Sequence, residues 1–290
     1  MIIVVMPAYN AAKTLERTYH DIPRDVVDRI ILVDDVSRDE TVEIAQRLGL
    51  DVIVHSQNKG YGGNQKTCYR EALAAGADVV VMVHPDYQYD PTRIPAVIAP
   101  ILEGRADMVL GSRFLGDPLA GGMPRWKWVA NHFLTSAENL AFGLHLSEYH
   151  TGFRAYSAHL LRTVAWERNS DDFVFDQEFV AQVVAGGFRI AEVAVPTRYF
   201  AEASSVGFRR SVRYGFGTLR VVARFVLHRT GLRRDPRLAP RTVAGADPGN
   251  GLAGPGAAGS VLSGSVAASS VARAEGSAEV ATDPERTAAP

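Results

Sequence analysis

The chain has 290 residues, 47% hydrophobic and 22% charged, with a formal net charge of −1. That is a soluble, globular composition, long enough to bury a sizeable core. A single cysteine, Cys68, excludes a disulfide framework and any multi-cysteine zinc or iron–sulfur site. The opening MIIVVMPAYN lacks a basic n-region and no apolar run reaches the length of a membrane span, so neither a signal peptide nor a transmembrane helix is expected.

Neutrality overall hides an asymmetry. Residues 207–240 hold nine arginines and one acid, Asp235, a local charge of +8 that leaves −9 elsewhere. Arginine outnumbers lysine 27 to four, which with abundant Ala, Gly and Val reads as a GC-rich bacterial coding bias.

Along the first 110 residues, β-branched runs of strand length (2–6, 30–33, 51–55 and 79–83) alternate with stretches of helical spacing (12–20, 39–48 and 63–75). A fifth strand, 107–110, leads into Gly111-Ser112-Arg113. Near-continuous apolar strands between helices predict an α/β fold with a mostly parallel central sheet covered on both faces. Ligands in such sheets bind beyond the carboxyl ends of the strands. Further on, 126–142 and 176–185 read as helices and 189–195 as a strand. Residues 208–228 form an amphipathic basic helix with Val212, Phe216, Leu219, Val222 and Val226 on its apolar side, and Gly215 and Gly217 mark a candidate break. The last fifty residues hold 13 Ala, 8 Gly, 6 Ser, 4 Pro and no aromatic; they cannot offset their ordering entropy and are expected to be disordered. Three regions result: a globular domain over 1–206, a basic helical segment over 207–240 and a tail over 241–290.

The residues just after each strand carry the chemistry. Pro7-Ala8-Tyr9-Asn10 ends the first strand with an aromatic and an amide, or is an ordinary turn. Asp34-Asp35-Val36-Ser37 ends the second; paired carboxylates there suit a ribose hydroxyl or a base edge, while capping accounts for Asp39 and Thr41. After the third comes Asn58-Lys59-Gly60-Tyr61-Gly62-Gly63. This loop fits neither the Walker A nor the dinucleotide pattern; either its backbone approaches a nucleotide or its glycines permit tight helix packing. The fourth strand gives His84-Pro85-Asp86-Tyr87-Gln88. If Pro85 keeps this stretch extended, His84, Asp86 and Gln88 share one face, a set able to hold a divalent cation bridging a diphosphate. Cys68 reads as a core thiol.

Together with Gly111-Ser112-Arg113 and Thr151-Gly152-Phe153-Arg154-Ala155-Tyr156, these motifs resemble the family 2 glycosyltransferases of the GT-A (nucleotide-diphospho-sugar transferase) fold, in particular the polyprenyl- and dolichol-phosphate sugar synthases. The resemblance covers about residues 1–205. It implies that Pro7, Tyr9, Asn10, Asp34, Asp35, Lys59 and Gly60 hold the nucleotide. It places Mn²⁺ or Mg²⁺ on His84, Asp86 and Gln88, with Asp86 and Arg113 stabilising the departing diphosphate. Asp176, by position, is the candidate base for a hydroxyl acceptor, or else a helix cap. Two departures stand out. His84 replaces the first carboxylate of the family's Asp-x-Asp, which means either a preference for Mn²⁺-like ions or a weaker metal dependence, and no lysine follows Arg198, for which Arg198, Arg209 or Arg210 are candidate substitutes.

The implied function is inverting transfer of a sugar from a UDP- or GDP-sugar to polyprenyl phosphate. The basic helix would rest on an anionic membrane surface, peripheral at the cytoplasmic face of the plasma membrane; its alternatives are packing on the domain or a nucleic-acid patch, and nucleic acid is not the expected partner. Other readings are transfer to a soluble sugar or secondary metabolite, and a non-catalytic nucleotide-sugar-binding relative. A nucleotidyltransferase would need a glycine-rich loop after the first strand.

Overall fold

The computed structural model describes residues 1–119, 122–197 and 207–239. A seven-stranded sheet is built from β1 (Ile2–Ala8), β2 (Arg29–Asp34), β3 (Asp51–Val54), β4 (Val79–Met82), β5 (Met108–Ser112), β6 (Arg154–Ser157) and β7 (Ile190–Ala194). Its order is β3-β2-β1-β4-β6-β5-β7. β1 to β4 are mutually parallel and β7 is parallel to β5, whereas β6 runs antiparallel between β4 and β5. The mostly parallel sheet is as expected. β6 is an addition, since its sequence Arg-Ala-Tyr-Ser lacks the apolar run that marks the other strands.

Alternation along β1 sends Ile3 and Val5 to one face and Val4 and Met6 to the other. The first face is covered by α3 (Gly60–Ala74), α6 (Ala158–Thr163) and α7 (Phe175–Ala185) through Tyr69, Leu160 and Phe179. The second is covered by α1 (Leu15–His20), α2 (Thr41–Arg47) and α4 (Ile94–Leu102) through Leu15, Ile44 and Val97. Each aliphatic side chain buried in this way contributes about 1.5–3 kcal/mol. α4 escaped the sequence reading because it holds Pro95 and Pro100, residues that normally interrupt helices.

α5 (Arg125–Phe142) and α8 (Phe208–Arg229) pack together at the edge of the first layer, Phe142 against Phe225 at 4.8 Å between ring centroids. α8 is continuous through Gly215 and Gly217. Gly217 serves close packing instead of a break: a Cβ there would lie 3.2 Å from Val174 Cγ2. Val221 and Phe225 are buried in the core. Among the described residues no helix is long and apolar enough to cross a membrane. The stretch 198–206, the side chain of Arg209 and the tail 241–290 lie outside the described residues.

Candidate functional site

The carboxyl ends of β1, β2 and β4 open into a cavity of about 540 Å³. A second cavity, of about 280 Å³, adjoins it. Tyr61, His84, Asp86 and Phe173 line both.

Pro7, Tyr9, Asn10, Asp35 and Gly60 line the larger cavity, joined by Arg38 and by Arg210 from α8. Asp34 and Lys59 are not among its lining residues. Asp34 is turned inward, accepting from the Ser37 amide at 2.9 Å and from the Ser37 hydroxyl. Asp35 accepts from the backbone N–H groups of Lys59 (2.7 Å) and Gly60 (3.0 Å), and His55 Nδ1 lies 2.8 Å from it. The two aspartates thus divide their work: one closes its own turn, the other fixes the turn at 58–60 beneath the cavity. Asn10 braces the same region, its N–H donating to Ser37 Oγ and its Oδ1 accepting from the Arg38 amide, each at 2.8 Å. These bonds hold Val36 at φ 67°, a left-handed conformation that costs a β-branched residue about 1–3 kcal/mol.

The glycines of the third loop serve tight packing. Gly60 has φ +79°, and a Cβ on it would lie 2.7 Å from the Asp171 carbonyl oxygen. At Gly62 the gap to the Ser170 oxygen would be under hydrogen-bond length, while its N–H donates to Asp171 O at 2.8 Å. Lys66 Nζ clamps the same segment through Asp171 Oδ1 at 2.7 Å. The seated segment brings Phe173 against Tyr61, centroid to centroid 4.8 Å. Cys68 is fully buried, and burial pushes its thiol pKa well up, as a core thiol requires.

Between the cavities lies His84-Pro85-Asp86. β4 ends at Met82 and Tyr87 has φ 56°, so this stretch is a turn and not the extended strand expected. Burial nevertheless alternates: Pro85, Tyr87 and Tyr89 point inward, and His84, Asp86 and Gln88 all line the smaller cavity. Asp86 Oδ1 accepts from the Gln88 amide at 3.1 Å. The His84 ring stacks on Tyr61 at 5.6 Å and 4°, and a Cβ on Gly152 would come within 2.9 Å of His84 Cδ2. Burial holds His84 below the usual histidine range, against the opposing pull of Asp86 and Asp176, so a ring lone pair is available to a metal at neutral pH. Among the described residues no group of three His, Cys, Asp or Glu could hold a metal ion. One imidazole, one carboxylate and one amide fit a divalent cation whose remaining ligands are phosphate oxygens.

Behind the smaller cavity, Arg113, Arg154 and His150 each face a buried carboxylate. Arg113, at the end of β5, donates from Nε to Glu148 Oε1 at 2.8 Å and from Nη2 to the His150 carbonyl at 3.0 Å. Burial alone would raise Glu148, but Arg113 outweighs it and holds the carboxyl below the usual range. Asp176 accepts from Tyr61 Oη at 2.8 Å and Gln65 Nε2 at 3.2 Å, and pairs with Arg154 Nη1 at 3.1 Å. α7 makes no side-chain cap bond at its start, so Asp176 is the centre of a network and not a helix cap. Glu138 on α5 faces His150 Nε2 at 3.1 Å, and Tyr214 Oη on α8 lies 2.8 Å from His150 Nδ1. Trp126, Lys127 and Leu134 of α5 complete the wall. Glu138, Glu148 and His150 were not marked in the sequence; the one available signal was a glutamate on the inward face of α5.

The family model described as "Glycosyl transferase family 2" matches residues 3–164. The chain belongs to glycosyl transferase family 2. This family 2 glycosyltransferase is 29% identical over 216 residues to a UDP-N-acetylglucosamine–dolichyl-phosphate N-acetylglucosaminyltransferase of Methanococcus voltae, covering 69% of the chain and 86% of the relative. It is 28% identical over 209 residues to an undecaprenyl-phosphate mannosyltransferase of Micrococcus luteus, covering 67% and 82%. Among solved structures it is similar to glucosyl-3-phosphoglycerate synthase from Mycobacterium tuberculosis in complex with Mn²⁺, UDP-glucose and phosphoglyceric acid, with a TM-score of 0.57, 21% identity and 80% of each chain covered. The fold of the family 2 glycosyltransferase is GT-A.

Proposed function

We propose that this glycosyltransferase moves a sugar, with inversion, from a UDP- or GDP-sugar to polyprenyl phosphate while resting on the cytoplasmic face of the plasma membrane. The observation that carries the reading is the meeting of the two cavities at His84 and Asp86, with the smaller one walled by α5 and α8. The larger cavity takes the nucleotide, with Tyr9, Asn10 and Asp35 nearest the base and ribose and Arg210 at the rim. Asp86, with His84 and Gln88, would hold Mn²⁺ or Mg²⁺, which neutralises charge on the leaving diphosphate. Arg113, fixed by Glu148, adds a cation on the acceptor side. Both relatives act on polyprenyl-type phosphates by name, which supports that acceptor.

The membrane part of the reading rests on the outward faces of the two helices. Trp126, Val129, Phe133 and Leu140 on α5 and Val212 and Phe216 on α8 are exposed, and Arg213 and Arg220 lie among the latter. Arginines near an anionic leaflet contribute about 1 kcal/mol each, and apolar side chains between them enter the interface.

A soluble acceptor is the second reading, favoured by the phosphoglyceric acid in the similar mycobacterial structure. The test is nucleoside diphosphate release from a panel of UDP- and GDP-sugars with Mn²⁺ or Mg²⁺, with and without polyprenyl phosphate. Release stimulated by the lipid for one donor is expected. Donor binding without lipid stimulation would favour the soluble acceptor instead.

A further inference from the structure

Glu138 is fully buried, and its carboxylate faces His150 Nε2 at 3.1 Å. Neither Glu138 oxygen nor His150 Nε2 makes a hydrogen bond of good geometry, so the two face each other as an ion-pair contact across 3.1 Å. On the other side of the ring, Tyr214 Oη lies 2.8 Å and Gln177 Nε2 2.9 Å from His150 Nδ1. The Gln177 NH2 group can only donate, so Nδ1 is the acceptor; the Tyr214 hydroxyl then donates to it as well, and the ring proton sits on Nε2, where Glu138 faces it. The order is carboxylate, imidazole, hydroxyl, and both His150 and Tyr214 line the smaller cavity. Asp176, the base expected by position, has its oxygens occupied by Tyr61, Gln65 and Arg154.

We propose that Glu138, His150 and Tyr214 form the proton-accepting array of the acceptor cavity, an inference that rests on the transfer reaction proposed above. Tyr214 is the residue that touches the acceptor; His150 and Glu138 act through it. As the acceptor oxygen attacks the anomeric carbon, its O–H bond breaks and the proton passes to Tyr214 Oη. The tyrosine's own proton passes to His150 Nδ1, and the imidazolium so formed is paired with Glu138. The bond between sugar and diphosphate breaks at the same time, and its electron pair leaves with the nucleoside diphosphate. Burial first, then Glu138 and Asp176, push the Tyr214 hydroxyl well up, so it relays a proton without holding a negative charge. Among the described residues, the other charged groups near the array are Arg113, bound to the His150 carbonyl, Glu148 behind it, Asp176 and Arg154, which act on Tyr214, and Lys127 in the wall of the same cavity. A hydroxyl acceptor carries such a proton at every working pH, and a phosphate monoester only below its second ionisation near pH ~6.

The test measures kcat/KM for the acceptor from pH 5 to 8.5 in the full chain, Tyr214→Phe, His150→Gln and Glu138→Gln, with polyprenyl phosphate and with phosphoglyceric acid as acceptors. Binding of the donor nucleotide, followed separately, reports an intact fold and is expected to stay within about twofold. Tyr214→Phe and His150→Gln are expected to lose about a hundredfold. For the phosphate acceptor the loss is expected at the acid end and fades towards pH 8; for the hydroxyl acceptor it persists across the range. Glu138→Gln is expected to fall between these variants and the wild type. An inactive wild type would remove the function and this array with it. An active wild type whose pH profile is matched by Tyr214→Phe and His150→Gln would remove the array alone.

Discussion

Arg154 Nη1 lies 3.1 Å from Asp176 Oδ1, and both side chains are almost wholly out of water. The pair joins β6 to α7, and Tyr61 and Gln65 of α3 close the network on Asp176. Burial and the adjacent carboxylate push the Tyr61 hydroxyl well above its ordinary range, so Tyr61 remains a donor to Asp176.

Arg154→Ala is therefore expected to strand a buried carboxylate and to destabilise the fold by about 3–5 kcal/mol. Urea unfolding at pH 7 reads this directly. A loss below about 1 kcal/mol would mean that water or a shifted lysine compensates Asp176 and that the network is not structural.

Among the described residues, Asp86 is the one carboxylate that lines both cavities, next to the leaving diphosphate in the proposed reaction, and Asp86→Ala removes it. Turnover is expected to fall about a thousandfold, in line with several kcal/mol of charge stabilisation, and manganese binding followed by its paramagnetic signal should weaken with it. Near-normal turnover would sink the cation assignment.

These two sites differ in how visible they are in the sequence. Asp86 follows a β-branched run and a proline, so its place at a strand end could be read from local pattern. His84, Asp86 and Gln88 do share a cavity, although the turn at Tyr87, and not strand alternation, puts them there. The pairing of Arg154 with Asp176 joins residues 22 apart through an antiparallel strand that has no apolar signature. Asp34 and Asp35 look equivalent in sequence, and only the turn geometry decides that one faces inward to Ser37 and the other reaches the cavity. The glycines at 60 and 62 were legible as a need for close approach, but their partner, the backbone at 170–171, was not. Glu148 carries no local signal and Glu138 only its place on the inward face of α5, because the chemistry of both comes from burial in the assembled fold.

The depressed His84 pKa gives a pH dependence whose sign is fixed. Burial disfavours the imidazolium in the folded chain, while the unfolded chain protonates near pH 6.5. Below that value the unfolded state binds more protons, so the contribution of His84 is fully present above about pH 6.5 and is lost as pH falls towards the folded pKa. Thermal melts of wild type and His84→Gln between pH 7.5 and 5 check this. The wild type should lose more stability on acidification than the variant, and parallel curves would show that the ring is solvated.

Gly62→Ala places a methyl group against the Ser170 carbonyl, which cannot retreat while the Gly62 N–H donates to Asp171. Overpacking of this kind costs about 1–3 kcal/mol, and the displaced segment carries Phe173. A lowered melting temperature together with weaker nucleotide binding is expected. Lost stability with unchanged binding would separate the segment from the cavity.

The membrane-facing reading needs point variants, because α8 is not an appendage. Val221 and Phe225 lie in the core, and Arg224 binds Glu178 at 3.0 Å and Asp235, so removing the helix would expose the body of the protein. Phe133 and Phe216 instead stand 63% and 71% exposed, beside Leu134 and Gly215, where α5 and α8 approach closely enough that a Cβ on Gly215 would lie 3.9 Å from Leu134 Cδ1. Each phenylalanine entering the interface contributes about 1.5–3 kcal/mol. Replacing both with glutamate should lower flotation with anionic vesicles at least about tenfold and leave nucleotide binding intact. Raised salt should weaken the wild type further, since the arginine attraction is screened within about 10 Å at 0.1 M. Equal flotation of the double variant and the wild type would take this face out of contact with the bilayer and shift the acceptor towards a soluble molecule.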